Sequence, residues 1–304
     1  MRWFLLLLLP LWACSPASAD QAQKPEGDPI YPVQAYHDLA YYTGPDRDTV
    51  KHALNLFVPE GVENPPVMLW IHGGAWAFGG RTLESELATR FAEAGVAVAA
   101  MSYRLSPATW ADPPKAHGVQ HPAHIEDVAR AFAWLKAHGA EYGIATDQIF
   151  VSGYSAGGHL SALLALDGRY LAAHQLSPTD IRGVIPVAGA YDLEAYHQAL
   201  ADYRGMGFAD AHVKGVFGSA EGAFEVASPT TYLEHSQVPM WVISEGDTYN
   251  YTLTLERAVK AQNVPHITFT HWREENHQSL ATCLAQPDCE YREAMVQWIR
   301  DHAE

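Results

Sequence analysis

Ser155 lies at the centre of a Gly-Tyr-Ser-Ala-Gly motif at residues 153–157. Residues 149–153 favour a β-strand, and residues 156–166 have the small and leucine-rich pattern of a helix. A serine on a strand-to-helix turn projects its hydroxyl above the edge of a sheet, and flanking glycines let the strand and the helix approach closely. The pattern predicts a nucleophile, whereas the structural alternative is a serine in a tight turn.

A serine nucleophile needs a general base and a carboxylate that orients the base. Asp247 follows an apolar strand predicted at 239–244, and His277 follows the last predicted strand at 266–270. Because the carboxyl ends of parallel strands meet at one edge of a sheet, both side chains are expected near Ser155. We predict a catalytic set of Ser155, Asp247 and His277.

Each partner of the serine has a competitor. Glu245 lies two residues nearer the strand than Asp247, but Gly246 marks the turn out of the sheet and favours Asp247. His271 stands at the end of the last strand, whereas His277 lies in the following loop, where catalytic residues are common. Glu245 and His271 remain the alternatives.

Residues 72–76 read His-Gly-Gly-Ala-Trp and follow an apolar strand at 67–71. Adjacent glycines let backbone N–H groups approach the oxyanion of a tetrahedral acyl intermediate. Gly73 and Gly74 are therefore predicted oxyanion donors, with the amide of Ala156 as their partner across the site. A Gly-rich turn is the alternative, and a phosphate loop is excluded because no Lys-Ser or Lys-Thr follows.

The two large residues of this motif have other predicted roles. Trp76 is expected to line the substrate pocket, with core packing as the alternative. His72, at the end of the strand, is expected to brace the loop through hydrogen bonds.

Strands and helices alternate along most of the chain, which predicts one doubly wound α/β domain with a mostly parallel sheet and helices on both faces. The first two strands form a predicted antiparallel hairpin, and residues 191–232, rich in glycine and aromatics, are predicted as an irregular, cap-like insertion. The predicted strands are 36–42, 52–58, 67–71, 95–101, 149–153, 183–189, 239–244 and 266–270, and the predicted helices are 83–94, 123–138, 156–166, 253–262 and 290–302.

The balance of 19 basic and 35 acidic residues gives a formal charge of -16, which repels phosphate backbones. Nucleic acid is therefore not expected as a partner. His117, His121 and His124 lie close in sequence, but they share no regular face and lack a completing Asp or Cys, so no metal site is predicted.

Together these motifs resemble the α/β-hydrolases of the HGGxW carboxylesterase type, a group that includes kynurenine formamidases and bacterial feruloyl and acetyl-xylan esterases. The resemblance extends over roughly residues 36–302 and includes 72–76, 153–158, Asp247, His277, 102–107, 122–127 and 190–193. It implies an α/β-hydrolase fold and hydrolysis of esters or amides through an acyl-enzyme, with no metal or cofactor.

The function expected from the residues and the resemblance is a serine carboxylesterase that hydrolyses short-chain or aromatic esters of small molecules. One alternative is an arylformamidase, an amide hydrolase of the same group. The other is a catalytically silent hydrolase-fold protein that binds a partner through residues 191–232.

The N-terminus has the layout of an export signal at residues 1–19, followed by a linker or arm at 20–35 and the folded domain at 36–304. Two processing sites compete, because 17–19 suit ordinary cleavage and 11–14 resemble a bacterial lipobox that would place a lipid on Cys14. We expect a protein of the bacterial cell envelope, as a lipoprotein or a periplasmic protein, with secretion as the second choice. A lipid on Cys14 would be its membrane anchor.

Export removes the signal and leaves Cys283 and Cys289 as an even pair in an oxidising compartment. A disulfide between them is predicted, and two unpaired thiols are the alternative.

Overall fold

The computed structural model of the chain describes residues 29–303. The predicted export signal, including Cys14, lies outside these residues. The described part contains eight strands, which are β1 (Val33–Ala40), β2 (Ala53–Pro59), β3 (Val67–Ile71), β4 (Ala97–Met101), β5 (Ile149–Tyr154), β6 (Gly183–Val187), β7 (Met240–Glu245) and β8 (Ile267–Trp272).

All eight strands form a single sheet in the order β1-β2-β4-β3-β5-β6-β7-β8. β2 pairs antiparallel with β1 and with β4, and every other neighbouring pair is parallel. The central strands β3, β4 and β5 are buried along their whole length, which explains their continuous apolar sequences. The predicted α/β-hydrolase architecture and the edge hairpin are confirmed.

Helices cover both faces of the sheet. They are α1 (Ser85–Glu93), α2 (Ala123–His138), α3 (Ala156–Leu166), α4 (Arg169–Ala172), α5 (Leu193–Arg204), α6 (Met206–Ala209), α7 (Gly215–Phe217), α8 (Ala223–Ala227), α9 (Tyr249–Gln262), α10 (His277–Leu284) and α11 (Glu290–Ala303). Within residues 29–303, no helix combines the length and the apolar character that crossing a bilayer requires.

Two apolar cores lie on opposite sides of the sheet. On one face α2, α3 and α9 contribute residues such as Phe132, Leu163 and Leu255. On the other face α1, α10 and α11 contribute residues such as Phe91 and Met295. The sheet is thus held rigidly between two layers of helices, and the loops at its carboxyl edge carry the residues described below.

Several boundaries differ from the prediction. β1 begins at Val33, inside the stretch predicted as a linker, because pairing with β2 satisfies its backbone groups. β8 extends to Trp272 and includes His271, which was expected at the strand end.

The predicted irregular insertion is largely helical. Between β6 and β7 the chain forms α5 to α8, a π-helical turn at Asp210–Lys214 and a 3-10 segment at Pro229–His235. Glycines interrupt this region: Gly205, Gly218 and Gly222 have positive φ angles that L side chains adopt at a cost. We call the helical segment Leu193–His235 the cap.

Cys283 and Cys289 form a disulfide with their Cα atoms 5.5 Å apart, as predicted. Cys283 lies near the end of α10, and Cys289 immediately precedes α11. The bridge therefore connects the end of α10, the helix that begins at His277, to the residue just before α11.

Candidate active site

Ser155 lies between the end of β5 and the start of α3. Its φ and ψ angles are 56° and -114°, a strained conformation for a residue with a side chain. A Cβ on Gly153 would lie 2.6 Å from the backbone oxygen of Ile71, and one on Gly157 would also collide with that carbonyl group. Both glycines are therefore required by close packing, and Ser155 occupies the predicted strand-to-helix turn.

The imidazole of His277 is tied to Glu245. Its Nδ1 lies 2.9 Å from Oε1 of Glu245, whose side chain is fully buried at the end of β7. The second carboxylate oxygen of Glu245 accepts the backbone N–H groups of Asp247 and Thr248. Burial raises the pKa of Glu245, but the hydrogen bond with His277 and these N–H donors outweigh it, so that the pKa is lowered.

The prediction that Asp247 orients the histidine ring is wrong. The carboxylate of Asp247 accepts the backbone N–H of His277 at 2.9 Å, and the residue is exposed. Gly246 does mark the turn, as expected, but Glu245 is the last strand residue and its side chain already reaches the ring from there. The acid opposite Nδ1 is therefore Glu245, the competitor named from the sequence.

His271, the alternative base, is engaged elsewhere. Its Nδ1 lies 2.6 Å from Oγ of Ser244, and its Nε2 lies 3.1 Å from a carboxylate oxygen of Glu256. These contacts join β7, β8 and α9, and His271 does not line the cavity that contains Ser155. His277 does line this cavity, which favours it over His271.

Ser155 and His277 share a cavity of about 250 Å³ at the carboxyl edge of the sheet. Three aromatic side chains narrow it, from the loop after β3, from the cap and from α9. The lining residues are Ala75, Trp76, Ser155, Ala156, Ala188, Ala190, Tyr196, Asp247, Thr248, Tyr251 and His277. Tyr251 was not anticipated from the sequence, because the predicted helix began only at residue 253, whereas α9 begins at Tyr249.

The Gly73–Gly74 pair lies beside the nucleophile. A Cβ built on Gly73 would lie 3.0 Å from the carbonyl oxygen of Tyr154 and 3.4 Å from Cβ of Ser155, so a side chain there would crowd the serine turn. Gly74 has a φ of 108°, and a Cβ there would collide with the carbonyl group of Phe78. Ala156 is the first residue of α3, so its N–H has no acceptor within the helix. The structure thus places Gly73 and Ala156 next to Ser155, and Gly74 follows Gly73 in the same loop.

His72 braces this loop, as expected. It is buried, its Nδ1–H donates to the carbonyl of Gly73 at 2.6 Å, and its ring stacks on Tyr103 with centroids 4.2 Å apart. Burial lowers the pKa of His72 to about 4, so the ring is neutral at neutral pH.

Trp76 both lines the cavity and belongs to the core. Only 2% of its surface is exposed, and its Nε1 donates to Nδ1 of His159 at 3.3 Å. His159 in turn contacts the cap, because its Nε2–H donates to the carbonyl of Ala227 at 2.8 Å. Trp76 therefore has both of the positions considered from the sequence, since it lines the cavity and packs in the core.

Among residues 29–303, no three His, Cys, Asp or Glu side chains are grouped so that they could hold a metal ion. Of the three neighbouring histidines, His124 is buried with its Nε2 2.8 Å from Oγ of Ser106. His121 lies 3.3 Å from the hydroxyl of Tyr170.

The sheet order, the strained serine turn and the histidine–carboxylate pair define the chain as an α/β-hydrolase-fold protein, with Ser155 and His277 lining one cavity at the carboxyl edge of its sheet. Residues 54–252 match the family model BD-FAE. This match covers more than half of the chain, and the chain belongs to the BD-FAE family.

Curated relatives include two proteins of Mycobacterium tuberculosis. The probable carboxylic ester hydrolase LipM is 39% identical over 140 residues, which are 44% of this chain and 30% of LipM. Esterase LipQ is 33% identical over 191 residues, which are 60% of this chain and 41% of LipQ. The chain therefore spans less than half the length of these relatives.

Among solved structures, an inhibited esterase B from Lactobacillus rhamnosis superposes with a TM-score of 0.73 at 21% identity, covering 91% of this chain and 90% of that protein. At this identity the likeness establishes the shared fold.

Proposed function

We propose that this protein is a serine carboxylesterase that hydrolyses small-molecule esters with short acyl groups through an acyl-enzyme. The observation that carries the proposal is the meeting of Ser155 and His277 in one cavity, with His277 Nδ1 bonded to the buried Glu245. The esterase names of the curated relatives support the same reaction class.

In the proposed reaction, Oγ of Ser155 attacks the ester carbonyl while Nε2 of His277 accepts the hydroxyl proton. The bond to Glu245 occupies Nδ1, which leaves Nε2 as the ring nitrogen for this transfer. The buried carboxylate stabilises the imidazolium. His277 then gives the proton to the departing alcohol, which leaves the acyl group on Ser155.

Water then hydrolyses the acyl-enzyme, with His277 again transferring the proton. His277 takes a proton from the water, the resulting hydroxide attacks the acyl carbon, and the proton returns to Oγ of Ser155 as the carboxylic acid leaves. In both tetrahedral intermediates the N–H groups of Gly73, Gly74 and Ala156 bind the oxyanion.

The size of the cavity supports short acyl groups. At about 250 Å³ it lies below the roughly 300–1,000 Å³ typical of pockets for drug-sized ligands. Trp76 and Tyr196 line this small cavity, and their ring centroids are 6.2 Å apart. The cavity thus suits a short group, and the remainder of the ester extends towards solvent.

The test is hydrolysis of p-nitrophenyl acetate, butyrate and octanoate by the purified protein and two serine variants. Ser155→Ala should reduce turnover to the background rate while the circular dichroism spectrum is unchanged. Ser219→Ala, which alters an exposed serine of the cap, should match the wild type. Undiminished hydrolysis by Ser155→Ala would refute the proposal.

We also propose that the protein is exported to the bacterial cell envelope and carries a lipid on Cys14. Support comes from the basic start, the apolar run and the small residues at 1–19, and from the paired cysteines. Mass spectrometry of the mature N-terminus tests the lipid, because a free amine at Asp20 would exclude it.

A further inference from the structure

His277 is held by its backbone as well as by its ring. The hydroxyl of Tyr154 donates to the carbonyl of His277 at 2.7 Å, and the carboxylate of Asp247 accepts its N–H at 2.9 Å. Neither contact takes part in the proton transfers proposed above.

Tyr154 connects the histidine directly to the nucleophile. It is the last residue of β5 and immediately precedes Ser155, and its hydrogen bond joins positions 123 apart in the sequence. Its ring lies 5.0 Å from that of His277, and 7% of its surface is exposed. Burial raises the pKa of Tyr154 well above its usual range, so the hydroxyl remains a donor at any working pH.

Asp247 holds the other end of the same residue. The segment around it lies against the histidine loop, because the N–H of Gly246 donates to the carbonyl of Glu275 at 2.8 Å. The side chain of Asp247 accepts the N–H of His277, the first residue of α10. The side chain of Asn276 accepts the next two N–H groups, those of Gln278 and Ser279. A carboxylate at a helix N-terminus is favoured by the partial positive charge there.

We propose that Tyr154 and Asp247 are positioning residues that fix the backbone of His277 relative to Ser155. With both ends of its backbone held and Nδ1 tied to Glu245, the imidazole has little freedom to swing away from the nucleophile. The strand-to-helix turn that carries Ser155 thereby also fixes the position of the general base, through the neighbouring residue Tyr154. This inference rests on the proposed esterase function.

The kinetic test compares Tyr154→Phe and Asp247→Ala with the wild type on a short ester. Both variants should lower kcat by roughly 10- to 100-fold, the scale of loss expected from a small misplacement of a catalytic group, with KM within about twofold. Asp247→Asn retains an acceptor oxygen and should recover most of the loss. The double variant should lose less than the product of the two single losses, because both changes release one residue.

Tyr41→Phe is the matched control. Its buried hydroxyl donates to the carbonyls of Ser102 and Lys51, away from the site, so its loss should lower the melting temperature but leave kcat unchanged. Wild-type kcat in Tyr154→Phe, or a loss that only follows unfolding, would overturn the proposal.

Hydrogen exchange gives a readout that does not need turnover. The amide of His277 should exchange at least tenfold faster in Asp247→Ala, and Tyr154→Phe should accelerate exchange in the first turn of α10. Unchanged exchange in both variants would overturn the positioning role. If the wild type hydrolyses no ester but the two variants still show faster exchange, the esterase function is refuted and the backbone contacts to His277 stand.

Discussion

Glu245 keeps a negative charge where its side chain is shielded from water. Its pKa is lowered although burial opposes ionisation, because His277 and two backbone N–H groups donate to it. It is therefore ionised at neutral pH, and in the proposed reaction it stabilises the imidazolium that forms when His277 accepts the proton of Ser155. Asp247, being exposed and bonded to the backbone, does not take this role.

The two acids should differ sharply when each is made neutral. Glu245→Gln should lower kcat by about 10³- to 10⁴-fold, the scale seen when the acid of a serine hydrolase is replaced by its amide. Asp247→Asn should cost less than about tenfold, because an amide oxygen still accepts the backbone N–H. Steady-state kinetics on p-nitrophenyl butyrate measure both values. A larger loss in Asp247→Asn than in Glu245→Gln would contradict the assignment of Glu245.

The choice between these acids illustrates the limit of sequence reasoning at single residues. Gly246 was identified as the turn, and it is one. The rule that the acid follows the turn failed, because Glu245 reaches His277 from the last position of β7, within the sheet. Which of two neighbouring carboxylates contacts the ring depends on where the strand ends and on the direction in which each side chain leaves it, and the sequence shows neither.

At the scale of elements, the cap narrows the cavity that contains Ser155. α5 places Tyr196 against the cavity, where it contacts Trp76 and Tyr251 edge to face. The sequence suggested a cap but not its helices, because α6, α7 and α8 are each five residues or shorter and a helical period needs about two turns to be recognised.

Removing the cap aromatic should lengthen the accepted acyl chain. Tyr196→Ala deletes a side chain that lines the cavity, so the ratio of kcat/KM for octanoate to that for acetate should rise by about tenfold or more. Tyr203→Ala, on the same helix but 83% exposed, should leave the ratio unchanged. Equal ratios in Tyr196→Ala and the wild type would show that the cap aromatic does not set acyl length.

At the scale of the whole molecule, the order of elements was accessible from the sequence. α2 and α3 have the predicted bounds, since long periodic segments between clear breaks leave little ambiguity. Long-range contacts were not accessible: neither the Tyr154–His277 bond nor the close approach of Gly73 to Ser155 has a local sequence signal.

One buried ion network links distant parts of the fold. The carboxylate of Asp127 on α2 lies 3.0 Å from Nε2 of His52 and accepts hydrogen bonds from Arg104 and Arg130. Burial raises the pKa of Asp127, but the hydrogen bonds from His52 and Arg104 prevail and lower it from 3.8 to about 2.

Acid should therefore weaken the fold through Asp127. Because its pKa is depressed in the folded state, the stabilisation is present above about pH 4 and is lost as pH falls towards 2, and it amounts to about 2 kcal/mol. The free energy of unfolding is measured with urea at pH 6 and at pH 2.5. Its decrease between the two pH values should be smaller in Asp127→Asn than in the wild type, by about 2 kcal/mol. Asp202→Asn, an exposed control on α5, should retain the wild-type difference. Equal acid losses in Asp127→Asn and the wild type would contradict the linkage.

Covalent labelling tests most directly whether Ser155 is an activated nucleophile. The purified protein is incubated with an alkyl fluorophosphonate, digested and sequenced by mass spectrometry. We expect one phosphonyl adduct on Ser155, none in Ser155→Ala, and labelling slowed by orders of magnitude in His277→Ala because the general base is lost. A folded wild-type protein in which Ser155 remains unlabelled would contradict the role of Ser155 as the nucleophile.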